Sequence, residues 1–275
     1  MLNTIQELFA YPFIQRAVIV GVLVSFCAAL LGVSLVLKKY SMIGDGLSHV
    51  GFGALALAMA LNLAPLEVAI PVVVAAAFLL LRISENSKIK GDAAIALIST
   101  SALALGVIII AMTTGMTTDV CNYMFGSILS MSENDVKLSI VISILVIVMY
   151  LLFYNKIFAI TFDESFAQAT GINTRRYNSL IAFLTAVTIV LGMRMMGALL
   201  ISSLIVFPAL TSMRLFRSFK GVVISSTIIS VTCFVAGIIM SYICATPTGA
   251  SIVSVNLLLF ICFSIISKIR IKQRG

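Results

Sequence analysis

Residues 17–37 read AVIVGVLVSFCAALLGVSLVL, a run with no charged side chain, closed by the pair Lys38-Lys39. A helix needs about 20 mostly apolar residues to cross the hydrocarbon of a bilayer, so this run is long enough to span. It is also too long for the apolar core of a cleaved signal peptide. The rest of the chain repeats the pattern. Apolar runs follow at 42–61, 64–81, 93–112, 136–154, 178–194, 196–213, 221–243 and 250–267, and most of the basic residues lie in the segments between them. The expected fold is therefore an all-α polytopic membrane protein with nine transmembrane helices. The count falls to eight if the sixth and seventh runs, parted by little more than Arg194, do not both cross.

Bulk composition agrees. The 275 residues are 61% hydrophobic and 10% charged, with a mean hydropathy of +1.18, whereas soluble domains carry roughly 25% charged residues. The chain cannot cover itself in water, so lipid is its solvent. Tryptophan is absent, leaving Tyr and Phe to form any aromatic belt. The net charge of +8 does not point to nucleic acid, because the basic residues sit in clusters between spans rather than on one face. The five cysteines show no CxxC spacing, so neither a disulfide framework nor a zinc knuckle is indicated.

Lys and Arg set the expected orientation. With the N-terminus outside and the C-terminus cytoplasmic, the inner side holds Lys38 and Lys39; Arg82, Lys88 and Lys90; Lys156, Arg175 and Arg176; Arg214, Arg217 and Lys220; and Lys268, Arg270, Lys272 and Arg274. These are fifteen of the 18 basic residues, and only Arg16, Lys137 and Arg194 stay outside. Shifting the count by one span near the middle would destroy this asymmetry. No loop is long enough for a folded soluble domain, so residues 1–275 read as one transmembrane domain with a cytoplasmic loop at about 155–177. No internal repeat is evident, which leaves an inverted-repeat transporter unsupported.

One constellation carries chemistry. Residues 42–51, MIGDGLSHVG, open the second span, and His49 is the only histidine in the chain. Asp45 and His49 are four residues apart, so on a helix they share a face, about 40° apart around the axis. A carboxylate and an imidazole at this spacing can hold one divalent cation. An acidic residue inside a span costs about 2.5–3.5 kcal/mol on the insertion scale and usually faces a cavity. The same pair can instead hydrogen-bond within its helix or join two helices, and Asp45 can simply complement the helix dipole. Because zinc or manganese wants four or more ligands, a metal reading requires a homodimer, which would place two Asp and two His at its axis. Gly51, Gly53, Ala54 and Ala58 read as packing positions for close helix approach.

At these residues the chain resembles the membrane permeases of zinc- and manganese-type ABC metal-ion importers. The first match is LVLKKYSMIGDGLSH at 35–49: an apolar span, a basic pair, then Gly-Asp-x-x-x-His. The others follow in order: DESFAQATGI at 163–172, GALLISSLIVFPA at 197–209 and PTGASIV at 247–253. The resemblance covers about the whole chain. It implies the permease subunit of an importer in the cytoplasmic membrane of a bacterial-type cell, moving a divalent metal ion inward. It further implies a homodimer, two cytoplasmic ATPase subunits that use the ATP, and an extracytoplasmic metal-binding protein. No cofactor is held permanently, and the metal is cargo. Asp45 and His49 would line the ion pathway. Imidazole suits zinc and carboxylate favours manganese, so zinc is the first choice and manganese the second.

The same resemblance makes 163–172 the element that docks the ATPase. The residues agree: Asp163 and Glu164 suit a helix start, Phe166 and Ala169 can face one way, and Gly171 suits the stop. TTDVCNYMFGS at 117–127 resembles the family's extracellular gate, where Asp119 and Cys121 could meet the ion or could cap a helix and fill a core. Pro208 removes a backbone donor inside the seventh span and is expected to kink or break it, as pathway-lining helices often are. Met193, Met195 and Met196 cluster, but thioethers alone would suit Cu(I).

No Gly-x-x-x-x-Gly-Lys-Ser/Thr run occurs, so hydrolysis by a P-loop is expected on another polypeptide. Two other readings remain: an ion-coupled secondary metal transporter, and an ABC permease for a chelated metal such as cobalamin or an iron-siderophore. The Asp-x-x-x-His segment argues against the chelate reading.

Overall fold

A computed structural model describes residues 12–86, 91–113 and 133–272, and these are helical throughout apart from short turns. The helices are α1 (Pro12–Leu37), α2 (Ser41–Ala60), α3 (Pro65–Asn86), α4 (Gly91–Thr113), α5 (Glu133–Leu152), α6 (Tyr154–Phe162), α7 (Glu164–Ala169), α8 (Thr174–Met196), α9 (Ala198–Leu215), α10 (Phe219–Cys244) and α11 (Thr248–Lys272). Among the described residues, nine helices are long and apolar enough to cross a bilayer, all but α6 and α7. In hydrocarbon each backbone N–H and C=O must be satisfied within the chain, and a helix does this segment by segment.

The spans differ in what surrounds them. α1 and α8 are the most enclosed, while α4, α5 and α11 turn most of their apolar surface outward. α1 packs against α8, α9, α10 and α5; α2 lies on α3 and α4; and α9 packs on α11. Without a hydrophobic driving force between helices in lipid, small residues and polar ties hold them together. Ser230 Oγ donates to the Ser25 carbonyl (2.9 Å), joining α10 to α1. Cys27 Sγ donates to the Ser143 carbonyl (3.5 Å), joining α1 to α5.

Two glycines are demanded by proximity. A Cβ at Gly53 would stand 2.7 Å from the Ala102 carbonyl oxygen of α4, and one at Gly32 would strike the Ile205 carbonyl of α9. In both cases the obstacle is backbone and cannot swing aside. Gly32→Ala is therefore expected to push α1 and α9 apart and to cost about 1–3 kcal/mol, the usual range for overpacking. Thermal unfolding in detergent reads this directly, and an unchanged midpoint would contradict the close approach.

The two ends of the bundle are distinct. Arg16 at the start of α1 pairs with Glu133 at the start of α5. Arg194 in the last turn of α8 pairs with Asp135 of α5 at 2.7 Å. Lys38, just past α1, meets Glu164 and Asn178 at the start of α7 and α8. The starts of α1 and α5 thus share one end, which is where three intervening crossings by α2, α3 and α4 return the chain.

Three boundaries differ from the sequence reading. The break between the sixth and seventh spans lies at Gly197 rather than near Arg194, which α8 carries in its last turn. Gly197 has φ 85° and ψ 160°, a region open essentially to glycine alone. The 155–177 loop holds two short helices, α6 and α7, instead of one. α9 continues unbroken through Pro208; the proline leaves the Leu204 carbonyl without its i+4 donor but does not end the helix. α3 also carries an internal proline, Pro71.

Candidate metal site and docking element

α2 begins at Ser41, separated from the end of α1 by three residues. The turn between them is a Schellman motif: Tyr40 N–H donates to the Leu35 carbonyl (2.8 Å) and Lys39 N–H to the Val36 carbonyl (3.1 Å). Lys39 takes the left-handed conformation this requires, with φ 62°. The corner therefore feeds directly into the helix bearing Asp45.

Glycines on either side of Asp45 seat α2 between its neighbours. A Cβ at Gly44 would lie 3.1 Å from Ile205 of α9, and one at Gly46 would lie 2.5 Å from Ile95 of α4. Asp45 is left open between these contacts, its side chain 50% exposed in a helix that is otherwise mostly buried. His49, one turn further, is 25% exposed. The structure brings the two together as the spacing requires, with Nε2 of His49 3.6 Å from Oδ2 of Asp45.

That separation is too long for a good hydrogen bond. It is close to the gap of about 3.4 Å between two ligands each about 2.1 Å from one tetrahedral ion. Ser202 of α9 adds a third oxygen: its hydroxyl lies 3.3 Å from Oδ1 of Asp45 and 3.1 Å from the Ala198 carbonyl. Ser202 lies within the 197–209 stretch, but its register against α2 depends on helix packing, so the sequence alone did not single it out. Ser48 Oγ turns back to the Asp45 carbonyl (2.7 Å) and does not face the carboxylate.

Among the described residues, no group of three or more His, Cys, Asp or Glu side chains could hold a metal ion. One protomer thus supplies one carboxylate and one imidazole, which is fewer than zinc takes. Met193, Met195 and Met196 are all buried, and a Cβ at Gly51 would meet the Met193 methyl at 2.6 Å. Pro208 is buried in α9. Asp119, with Cys121 and the rest of 117–127, lies outside the described residues.

The second candidate element is α7. Asp163 caps it, its Oδ1 accepting from the Phe166 N–H at 2.9 Å. Ile172 N–H closes onto the Ala167 carbonyl and Gly171 N–H onto the Gln168 carbonyl, both at 3.0 Å. Gly171 adopts φ 83° to allow this. Only Ala167 is buried in α7; Phe166 is 66% exposed and Ala169 stands beside it in the open. The Glu164 carboxylate, at the start of α7, accepts from Lys38 and Asn178.

Comparison with known proteins matches this arrangement over nearly its full length. Residues 10–267 match the model of the ABC 3 transport family. The manganese import system permease protein ScaB of Streptococcus gordonii is 31% identical, covering 98% of this chain and 97% of its own. The high-affinity zinc uptake system membrane protein ZnuB of Haemophilus influenzae is 30% identical, covering 91% and 96%. The solved structure of PsaBC from Streptococcus pneumoniae in complex with Fab superposes with a TM-score of 0.85 at 29% identity, covering 95% of this chain and 94% of that one. Nine apolar spans among the described residues, an Asp–His pair on the second and a family match over residues 10–267 lead to one assignment: the chain is a multi-pass membrane protein belonging to the ABC 3 transport family.

Proposed function

We propose that this chain is the permease subunit of an ATP-driven importer that carries a divalent transition-metal ion, zinc first and manganese second, into the cytoplasm. The observation that carries the reading is the Asp45–His49 pair, 3.6 Å apart and open on one side within a membrane helix. Similarity to a manganese permease and a zinc permease over nine-tenths or more of each chain supports it. The protein works as a homodimer in the bacterial cytoplasmic membrane, N-terminus outside and C-terminus inside. Two copies bring two carboxylates and two imidazoles to one ion, with Ser202 steadying each carboxylate. Two cytoplasmic ATPases dock at α7 through Phe166 and Ala169, helped by Asp163 and Gly171, which fix its ends. An extracytoplasmic binding protein delivers the ion, and Asp119 and Pro208 belong to the gate and pathway.

Uptake of radioactive zinc or manganese into proteoliposomes holding the permease, its ATPase and its binding protein tests this. Accumulation should require ATP and all three components. Uptake driven by a proton or sodium gradient without the ATPase would replace the reading with a secondary transporter. Uptake of a metal chelate and of neither free ion would replace the substrate.

A further inference from the structure

Lys38 has the least exposed side chain of the ion pairs among the described residues. Its side chain is 8% exposed, at a position where a lysine ordinarily keeps its ammonium in water. All three of its donors are used: by Asn178 Oδ1 at 2.6 Å, by Glu164 Oε2 at 3.1 Å and by the Ile160 carbonyl at 3.4 Å. The other Glu164 oxygen accepts from Asn178 Nδ2 at 2.8 Å, closing the ring. One ammonium thus ties four elements together: the end of α1, the end of α6, the start of α7 and the start of α8.

The position of this knot gives it a consequence. On one side is α7, whose residues are all exposed except Ala167, so Lys38 is the main polar tie of that short helix to α1. On the other side is the three-residue Schellman corner into α2, with Asp45 seven residues beyond Lys38. Such a corner has little slack, because its backbone hydrogen bonds are closed and its left-handed residue is fixed. A displacement of α7 therefore reaches the start of α2 through Lys38 without passing through any flexible segment.

We propose that Lys38, clamped by Glu164 and Asn178, is the positioning residue that couples motion of α7 to α2 and hence to the Asp45–His49 pair. This rests on the reading of α7 as the ATPase-docking helix. The clamp makes α7 and the α1–α2 corner move as one body. Without it the ATPase still binds and turns over, but α2 does not follow.

The test uses the complete importer in proteoliposomes, with zinc uptake and ATP hydrolysis measured on the same sample. Lys38→Met keeps the length of the stem and removes the charge and the donors. The expected result is an assembled complex that hydrolyses ATP while zinc moved per ATP falls about tenfold, a coupling loss within the usual range for linked sites. Glu164→Gln, which keeps an acceptor at a half-exposed position, should fall less, and it serves as the readout if Lys38→Met does not assemble. An unchanged zinc-to-ATP ratio in either assembled variant would overturn the proposal. So would uptake and hydrolysis falling in parallel, since that is loss of fold rather than of coupling. Ser165→Cys separates the two readings: failure to cross-link to the ATPase in the otherwise unaltered complex overturns the docking reading itself, whereas an unchanged ratio with the cross-link present overturns only the role of Lys38.

Discussion

Asp45→Ala and His49→Ala each reduce ATP-dependent metal uptake to the level of vesicles without ATP, while the purified complex keeps its size and its ATPase. The effect is large because the cargo site is shared. If two chains meet at one ion, a single substitution removes two of its four side-chain ligands at once, leaving too few to replace the water a divalent cation must shed. Folding should suffer little, since an acidic residue within a span is a burden that its removal lifts. Ser202→Ala is milder, because it takes away one 3.3 Å contact to the carboxylate and no ligand. Uptake retained in both Asp45→Ala and His49→Ala would move the pathway elsewhere.

Asp135→Ala is expected to be the most damaging substitution for stability among the ion pairs. Arg194 Nη2 and Asp135 meet at 2.7 Å with side chains only 17% and 16% exposed, and Nη1 of Arg194 is buried without a hydrogen-bond partner. Removing the carboxylate strands a largely buried guanidinium, which costs about 3–5 kcal/mol. For a chain of this size that is a fall of roughly 10 °C in the thermal midpoint. Arg16 and Glu133 form the contrasting pair, with side chains 45% and 65% exposed, and Arg16→Ala should cost less than about 1 kcal/mol. Size-exclusion after stepwise heating in detergent compares the two. Equal shifts would mean that burial at the end of α8 is not what makes the Arg194 pair matter.

That pair also explains where the sequence was hard to read. Hydropathy located the nine spans found among the described residues because lipid leaves an apolar run little choice but a helix, and the short Lys38–Tyr40 corner is bracketed by obvious runs. Near Arg194 the same rule misleads. A charge in an apolar stretch reads as a boundary, yet α8 carries it in its last turn because Asp135 of α5 neutralises it. The true boundary, Gly197, looks like any other small residue until its backbone angles are known. The Asp45–His49 pair was legible because its spacing lies within one helix.

Ser202 and the Lys38–Glu164–Asn178 ring were not legible, since their members stand far apart in sequence and meet only through packing. A helix-start acid such as Glu164 gives no local sign that a lysine 126 positions earlier pairs with it. Gly171, by contrast, was readable because a helix stop with positive φ selects for glycine locally.

On the proposed function, two copies of the chain share one metal ion through Asp45 and His49. Zinc-edge X-ray absorption on the purified, zinc-loaded permease complex tests it most directly, with metal counted against protein on the same sample. The expected result is one zinc per two chains, in a shell of nitrogen and oxygen at about 2.0–2.2 Å with two imidazoles, absent from the Asp45→Ala, His49→Ala double variant. One zinc per single chain, sulfur in the shell, or the same spectrum from the double variant would contradict it.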